Sequence, residues 1–178
     1  RETLSSIDLI CPNETEALSL LSYRGDGGND VGDDDEELRQ KLVRDDYELS
    51  VEDSKQIAKK LFEKFVSMCP ECKHKLQVVI TMGGNGSVAY YDPKFSLLSR
   101  TNSEERVLEH FPLIEKVEKV VDTTGAGDAF TGSLAYFLSC NVPLNKAIPL
   151  ASSVASQTVM FHGAQSSYEV IDRSKIKF

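Results

Sequence analysis

The stretch that most constrains the fold of this chain is residues 119–132, KVVDTTGAGDAFTG. Two valines and two threonines lead into two glycines separated by an alanine, and a single carboxylate, Asp128, opens an apolar run. This order predicts an extended segment, a tight turn and a helix. Glycine lets backbone amides approach a ligand closely, and the first amides of a helix have no partners within it, so they attract anions. We therefore expect an anion site at 125–128, with Asp128 placed as a base beside it.

The four-residue pattern G-x-G-D has a simpler interpretation by itself, as a turn whose acid complements the helix dipole. The full run DTTGAGDAF at 122–130 is far more specific and resembles the C-terminal signature of the ribokinase-like sugar kinases. The resemblance implies that the catalytic residues are Gly125, Ala126, Gly127 and Asp128. Their amides would stabilise a phosphoryl group in transfer, and Asp128 would also contact the substrate hydroxyl. Gly127 and Asp128 would lie beside the nucleotide as well.

A second motif, Asn13-Glu14-Thr15-Glu16, follows a predicted buried strand at 7–11 and precedes a predicted helix. From the residues alone, Asn13 is a helix N-cap and the two acids complement the helix dipole. The motif is also similar to the Asn-Glu-x-Glu sequence of the ribokinase-like family. That similarity implies that Asn13 binds nucleotide phosphates and that Glu16 orders water around Mg²⁺.

A third motif lies in a predicted hairpin, with an apolar strand at 76–82, a glycine-rich turn and a second strand at 87–91. Its sequence TMGGNG resembles the Thr-x-Gly-x-x-Gly nucleotide loop of the family. The implied nucleotide-binding residues are Thr81, Met82, Gly83, Gly84, Asn85 and Gly86. Ser152, in a helix predicted at 144–161, stands near the position where the family often has an asparagine that contacts adenine.

The tail HGAQSSY at 162–168 is a loop by composition. It resembles the Gly-(Ala/Thr)-Gln-x-Ser tail that distinguishes the ribokinases within the family. The resemblance implies that this loop and the DTT segment enclose a potassium ion. The implied ligands are Asp122, Thr124, Thr158, Phe161, Gly163 and Ser167. Carboxylate, hydroxyl and carbonyl oxygens suit a hard cation.

Charge is concentrated in residues 25–48, where ten acids and three bases give a net −7 of the chain's −8. The spacing does not fit a calcium loop, because Val31 stands where such a loop needs glycine. We predict a solvated, disordered insertion. The negative charge argues against nucleic acid or anionic membrane as partners. No apolar run approaches the roughly 20 residues of a membrane span.

Helix and strand signals alternate along the rest of the chain. Ser50, with an acid three residues later, predicts the start of an amphipathic helix, and the apolar strand after it is typical of a sheet buried on both faces. The connection 92–119 is less regular, and we expect 103–111 to be partly helical. His110 within it receives no catalytic role.

The resemblance implies an α/β fold, a three-layer α/β/α sandwich around a mostly parallel sheet. Residues 1–178 would form the C-terminal nucleotide-binding and catalytic part of a ribokinase-like domain, without its N-terminal part and lid. The four cysteines, with no zinc-site spacing, are expected to be free thiols in a reducing compartment. The expected location is the cytoplasm, and the nucleus is an additional candidate.

The activity implied by the resemblance is ATP-dependent phosphorylation of D-ribose at O5, giving ribose 5-phosphate, with Mg²⁺ and K⁺ as cofactors. The partners would be ribose and ATP. A homodimer is expected for a full-length protein, but that expectation does not extend to the 178 residues alone, nor does the expectation of activity. Two alternatives stay open: a fructokinase-like sugar kinase, and a non-catalytic nucleotide-binding fragment without a sugar site.

Overall fold

The computed structural model describes residues 4–23, 49–95, 105–114, 117, 119–169, 171, 172, 174 and 176. The acidic insertion predicted at 25–48 lies outside the described residues. The strands are β1 (Leu9–Ile10), β2 (Gln77–Thr81), β3 (Ser87–Tyr91) and β4 (Val107–Phe111). The helices are α1 (Glu14–Ser22), α2 (Val51–Met68), α3 (Ala126–Ser139), α4 (Leu144–Thr158) and the short α5 (Gln165–Tyr168).

The four strands form one sheet in the order β1-β2-β3-β4. β1 and β2 are parallel, whereas β3 is antiparallel to both β2 and β4. The described part of the sheet is therefore mixed, where a mostly parallel sheet was predicted. The tight turn between β2 and β3 forces an antiparallel pair, since a parallel pair needs a long crossover. The ends of β1, β2 and β4 and the start of β3 consequently lie at one edge, which we call the loop edge.

Helices cover both faces of the sheet. Successive side chains on a strand point to opposite faces. Val78, Ile80 and Val88 pack in one core with α1 and α2. Val79 and Ala89 pack in a second core with α3 and α4. The predicted α/β/α layering is thus confirmed, with the apolar sheet residues divided between two cores.

Helix α2 begins as predicted, with a capping box in which Ser50 accepts from the Asp53 amide and the Asp53 carboxylate accepts from the Ser50 amide. Its apolar face is buried against the sheet and α1. On its other side, the Lys64 ammonium donates to the carbonyl oxygens of Leu20, Leu21 and Tyr23, at 2.9, 2.7 and 2.7 Å. These bonds satisfy the carbonyl groups at the end of α1, which a helix cannot satisfy internally.

The prediction of partial helix at 103–111 is wrong for its described part, because Val107–Phe111 is strand β4. Arg106, the residue before β4, donates to the carbonyl oxygens of Leu76 and Lys73, each at 2.6 Å. Its guanidinium carbon lies 4.1 Å from the centroid of the Phe62 ring. Pairing with β3 and these distant contacts decide the conformation, and local sequence carries no sign of them.

The segment before α3, predicted as a strand or an extended segment, forms no strand at 119–123. The amides of Val121 and Asp122 both donate to the Val159 carbonyl, at 2.8 and 3.2 Å. Helix α4 ends at Thr158, three residues earlier than predicted. This early end leaves 159–164 as a loop against the segment that leads into α3. Among the helices that the structure describes, none combines the length and the apolar character needed to cross a bilayer.

Candidate active site

Gly125 forms the turn that opens α3. It is the N-cap residue and has φ +80°, in the left-handed region that favours glycine. A Cβ at this position would lie 2.8 Å from the Ala164 Cβ and 3.0 Å from the Ala164 Cα. It would also lie 3.2 Å from the Tyr168 hydroxyl oxygen. Backbone angle and close packing therefore both require glycine here.

The first turn of α3 presents amides and one carboxylate to solvent. No side chain caps the helix at Gly125, and Gly127 and Asp128 are exposed. The Ala126 amide donates to the Thr123 carbonyl at 3.2 Å, so the following amides are the ones available to an anion. Within the described part of the chain, the Asp128 carboxylate has no ion-pair partner. The arrangement can bind an anion and offers a carboxylate beside it.

Asp122 joins the segment before α3 to residues 162–168, which we call the tail loop. One carboxylate oxygen accepts from the Thr124 amide at 2.9 Å, and the other accepts from the Gly163 amide at 2.8 Å. The Gly163 amide, followed by the hydroxyl and amide of Thr124, lowers the pKa of Asp122 from 3.8 to about 2. Asp122 is therefore an anion at neutral pH and cross-links residues 41 positions apart.

The other residues of the predicted potassium set lie on the segments that Asp122 joins. Thr158, buried at the end of α4, donates its hydroxyl to the Ala155 carbonyl at 2.8 Å. Ser167, also buried, donates to the Ala164 carbonyl at 2.6 Å. Both hydroxyl oxygens keep lone pairs that can face a cation. Phe161 lies between them, with its amide donating to the Thr158 carbonyl at 3.2 Å. The set is a group of oxygen donors with one carboxylate.

Asn13 and Glu16 form a capping box at the start of α1. The Asn13 side-chain oxygen accepts from the Glu16 amide, and the Glu16 carboxylate accepts from the Asn13 amide, each at 2.9 Å. The capping interpretation from the residues alone is thus confirmed. Asn13 also forms an isolated parallel bridge with Thr81. Two predicted nucleotide-binding positions therefore lie side by side at the loop edge.

The glycine-rich turn after β2 is a single turn of 3₁₀-helix at Gly83–Asn85. Its base is closed by the Met82 amide, which donates to the Gly86 carbonyl at 2.8 Å. Met82 itself is buried in the core, whereas Gly83, Gly84 and Asn85 are exposed. The exposed backbone of these three residues is the part of the predicted nucleotide loop that a ligand can reach.

Strand β4 supports this turn from the other side. The Nε2 atom of His110 lies 2.8 Å from the Asn85 carbonyl oxygen. Gly86 has φ +84°, and a Cβ there would overlap the Phe111 carbonyl oxygen. Sequence reasoning missed His110 because β4 itself was missed.

Helix α3 contacts the end of β1 three residues beyond Asp128. Thr131 hydrogen-bonds the Cys11 thiol there, and burial raises the pKa of that thiol to about 12. Cys11 also lines an open groove of about 520 Å³ between the end of β1 and α1, together with Glu16. Helix α3 therefore contacts the chain between β1 and the Asn13–Glu16 motif through Thr131. Ser152 is only 6% exposed in the middle of α4, and its predicted adenine contact stays a prediction.

Comparison with known proteins gives the same assignment as the motifs. The model of the pfkB family of carbohydrate kinases matches residues 1–171. A ribokinase of Dictyostelium discoideum is 33% identical over 168 residues, which are 94% of this chain and 42% of that protein. The chain thus spans less than half the length of this relative.

Solved structures show the same fold. The chain is similar to a ribokinase from Giardia lamblia, with TM-score 0.57, 25% identity, and coverage of 97% of this chain and 43% of the other. It is also similar to an Arabidopsis thaliana ribokinase complexed with ribose and ATP, with TM-score 0.58, 23% identity, and coverage of 98% and 41%. These likenesses confirm the ribokinase-like fold. The chain belongs to the pfkB family of carbohydrate kinases.

Proposed function

We propose that this chain is the nucleotide-binding and catalytic part of a kinase that phosphorylates D-ribose at O5 with ATP, giving ribose 5-phosphate. The observation that carries the proposal is the first turn of α3, which opens at Gly125 without a side-chain cap and carries the exposed Asp128 beside amides that have no partner within the helix. Phosphoryl transfer needs positioning and charge stabilisation more than covalent help, and this turn offers both. The ribokinases among its relatives favour ribose as the sugar.

In the proposed reaction, Asp128 accepts the proton of the sugar hydroxyl as the oxygen attacks the γ-phosphorus. The bond between the γ-phosphorus and the bridging oxygen breaks, and ADP leaves with that oxygen. The amides of the 125–128 turn stabilise the charge on the phosphoryl group in transfer. The exposed Gly83–Asn85 backbone and Asn13 would bind the rest of the nucleotide.

Two cations belong to the proposal. Mg²⁺ would neutralise phosphate charge, and Glu16 would orient its water shell through the carboxylate oxygen that does not cap α1. K⁺ would be held by oxygens of Asp122, Thr124, Thr158, Phe161, Gly163 and Ser167. The residues fit such an ion, because Asp122 stays anionic and the other donors are neutral hydroxyl or carbonyl oxygens. The described residues hold no cluster of three or more His, Cys, Asp or Glu that would bind a metal by themselves.

The test is Asp128→Asn in the protein that carries this sequence, with sugar-dependent ADP formation as the assay. We expect turnover to fall by a factor of about 10²–10⁴, the usual contribution of a general base. ATP should still bind, as measured by calorimetric titration. Glu63→Gln is the matched control, because it removes an exposed carboxylate on α2 that pairs with Lys59. Near-normal turnover of Asp128→Asn would remove Asp128 from the base role.

A panel of sugars separates the remaining alternatives. Turnover that is highest with ribose supports the proposal, whereas a preference for fructose would favour a fructokinase-like enzyme. ATP binding without turnover on any sugar would favour a non-catalytic nucleotide-binding protein. A cytoplasmic location and a homodimer of the full-length protein belong to the same proposal and are checked by fractionation and by light scattering.

A further inference from the structure

Tyr168, the last residue of α5, contacts the first peptide of α3. Its hydroxyl donates to the Gly125 carbonyl oxygen at 3.1 Å. The same oxygen accepts from the Ala129 amide at 2.9 Å, which is the first hydrogen bond of the helix. A residue 43 positions away therefore completes the hydrogen bonding of the N-cap carbonyl.

Side chains of the tail loop also pack closely against Gly125. Ala164 and the Tyr168 hydroxyl occupy the space in which a Cβ on Gly125 would lie. The tail loop is itself held in place, because the Gly163 amide is bonded to Asp122 and the buried Ser167 hydroxyl to the Ala164 carbonyl. Tyr168 thus contacts Gly125 from a segment that these two hydrogen bonds hold in place.

Fixing this carbonyl fixes the peptide plane between Gly125 and Ala126, because the peptide unit is planar and rigid. The direction of that plane sets how α3 starts, and hence where the amides of Gly127 and Asp128 point. Hydrogen-bond donors stabilise a charge only when they are already aimed at it. An unanchored first peptide would let these amides fluctuate.

We propose that Tyr168 is a positioning residue that aims the first amides of α3 at the terminal phosphate of a nucleoside triphosphate. The proposal rests on the proposed function and adds a residue that none of the sequence motifs implied. If so, the Tyr168 hydroxyl strengthens binding of the γ-phosphate and has no effect on binding of the rest of the nucleotide. ATP and ADP differ by that phosphate, so the ratio of their affinities measures the effect.

The experiment compares Tyr168→Phe with the parent chain by calorimetric titration of Mg-ATP and Mg-ADP. We expect ATP affinity to fall about fivefold, as for loss of one hydrogen bond, while ADP affinity stays within about twofold. The midpoint of thermal unfolding should stay close to that of the parent, because the ring remains. Tyr23→Phe is the matched control, since it removes a hydroxyl from the 61% exposed Tyr23 at the end of α1, a helix that packs in the other core. An equal loss of ATP and ADP affinity, or no loss, would overturn the proposal.

A second measurement does not depend on nucleotide binding. The exchange of the Ala126 and Ala129 amide hydrogens, followed by NMR, should be several-fold faster in Tyr168→Phe than in the parent. A parent chain that binds neither nucleotide contradicts the proposed function, and faster exchange in the variant then still supports the anchoring role of Tyr168. Unchanged exchange at both amides would overturn that role whatever the nucleotide result.

Discussion

Replacing Gly125 by alanine is the sharpest test of the geometry at the start of α3. The residue has φ +80°, so any side chain there is strained, by about 1–2 kcal/mol. The new Cβ would also stand 2.8 Å from the Ala164 Cβ, and overpacking of this kind costs about 1–3 kcal/mol. We therefore expect Gly125→Ala to lower the free energy of unfolding by about 2–5 kcal/mol. Movement of the tail loop could relieve the packing but not the backbone strain.

Gly132→Ala provides a matched control within the same helix. Gly132 is exposed, and a Cβ there would meet no atom within 4 Å. Alanine in a helix interior is favoured over glycine by about 1 kcal/mol, so this variant should be more stable than the parent. Urea denaturation gives the free energies, and thermal unfolding should shift by about 2–4 °C per kcal/mol. If the free energy of unfolding of Gly125→Ala lies within about 0.5 kcal/mol of the parent value, the argument from backbone strain and packing is refuted.

Three further predictions concern stability. Arg106→Met keeps the aliphatic stem but loses two hydrogen bonds and the contact with Phe62, so urea denaturation should show a loss of about 2–4 kcal/mol. An unchanged midpoint would contradict it. Ser87→Ala should raise stability by about 1 kcal/mol in the same assay, because the buried Ser87 hydroxyl has no hydrogen-bond partner among the described residues, and a loss would count against this. The pKa of Asp122 lies below its ordinary 3.8, so its contribution to stability is complete above about pH 4 and is lost as the pH falls toward 2. In Asp122→Asn, the dependence of stability on pH between about 4 and 2 should be weaker, as measured by acid unfolding followed by circular dichroism. An unchanged curve would refute the contribution of the Asp122 carboxylate to stability.

The parts of the fold that were predictable from sequence are those set by local chemistry. The Ser50 capping box, the glycine turn at 83–86 and the start of α3 at Ala126 each depend on residues within four positions of one another. Their side chains and backbone angles act over short distances, so composition and spacing are sufficient to place them.

The parts that sequence did not predict depend on distant partners. Strand β4 forms because β3 offers it a hydrogen-bonding edge and because Arg106 reaches a carbonyl 30 residues away. The roles of His110 and Tyr168 follow from contacts across 25 and 43 residues. No local pattern marks either side chain, so only the tertiary structure identifies them.

At the end of the sheet opposite the loop edge, the side chains of Arg106 and Lys75 link neighbouring segments. Arg106 binds the carbonyls of Lys73 and Leu76, and the Lys75 ammonium binds the Ser5 carbonyl and lies 3.2 Å from the Asp8 carboxylate. The turn at Pro70–His74, exposed except for Cys72, lies at this edge, with the full length of β2 between it and the glycine-rich turn at Gly83–Asn85. A fluorescent dye or a surface tether attached to an exposed residue of this turn would leave the backbone of Gly83–Asn85 untouched, which makes the turn a suitable point for immobilising the protein in binding measurements.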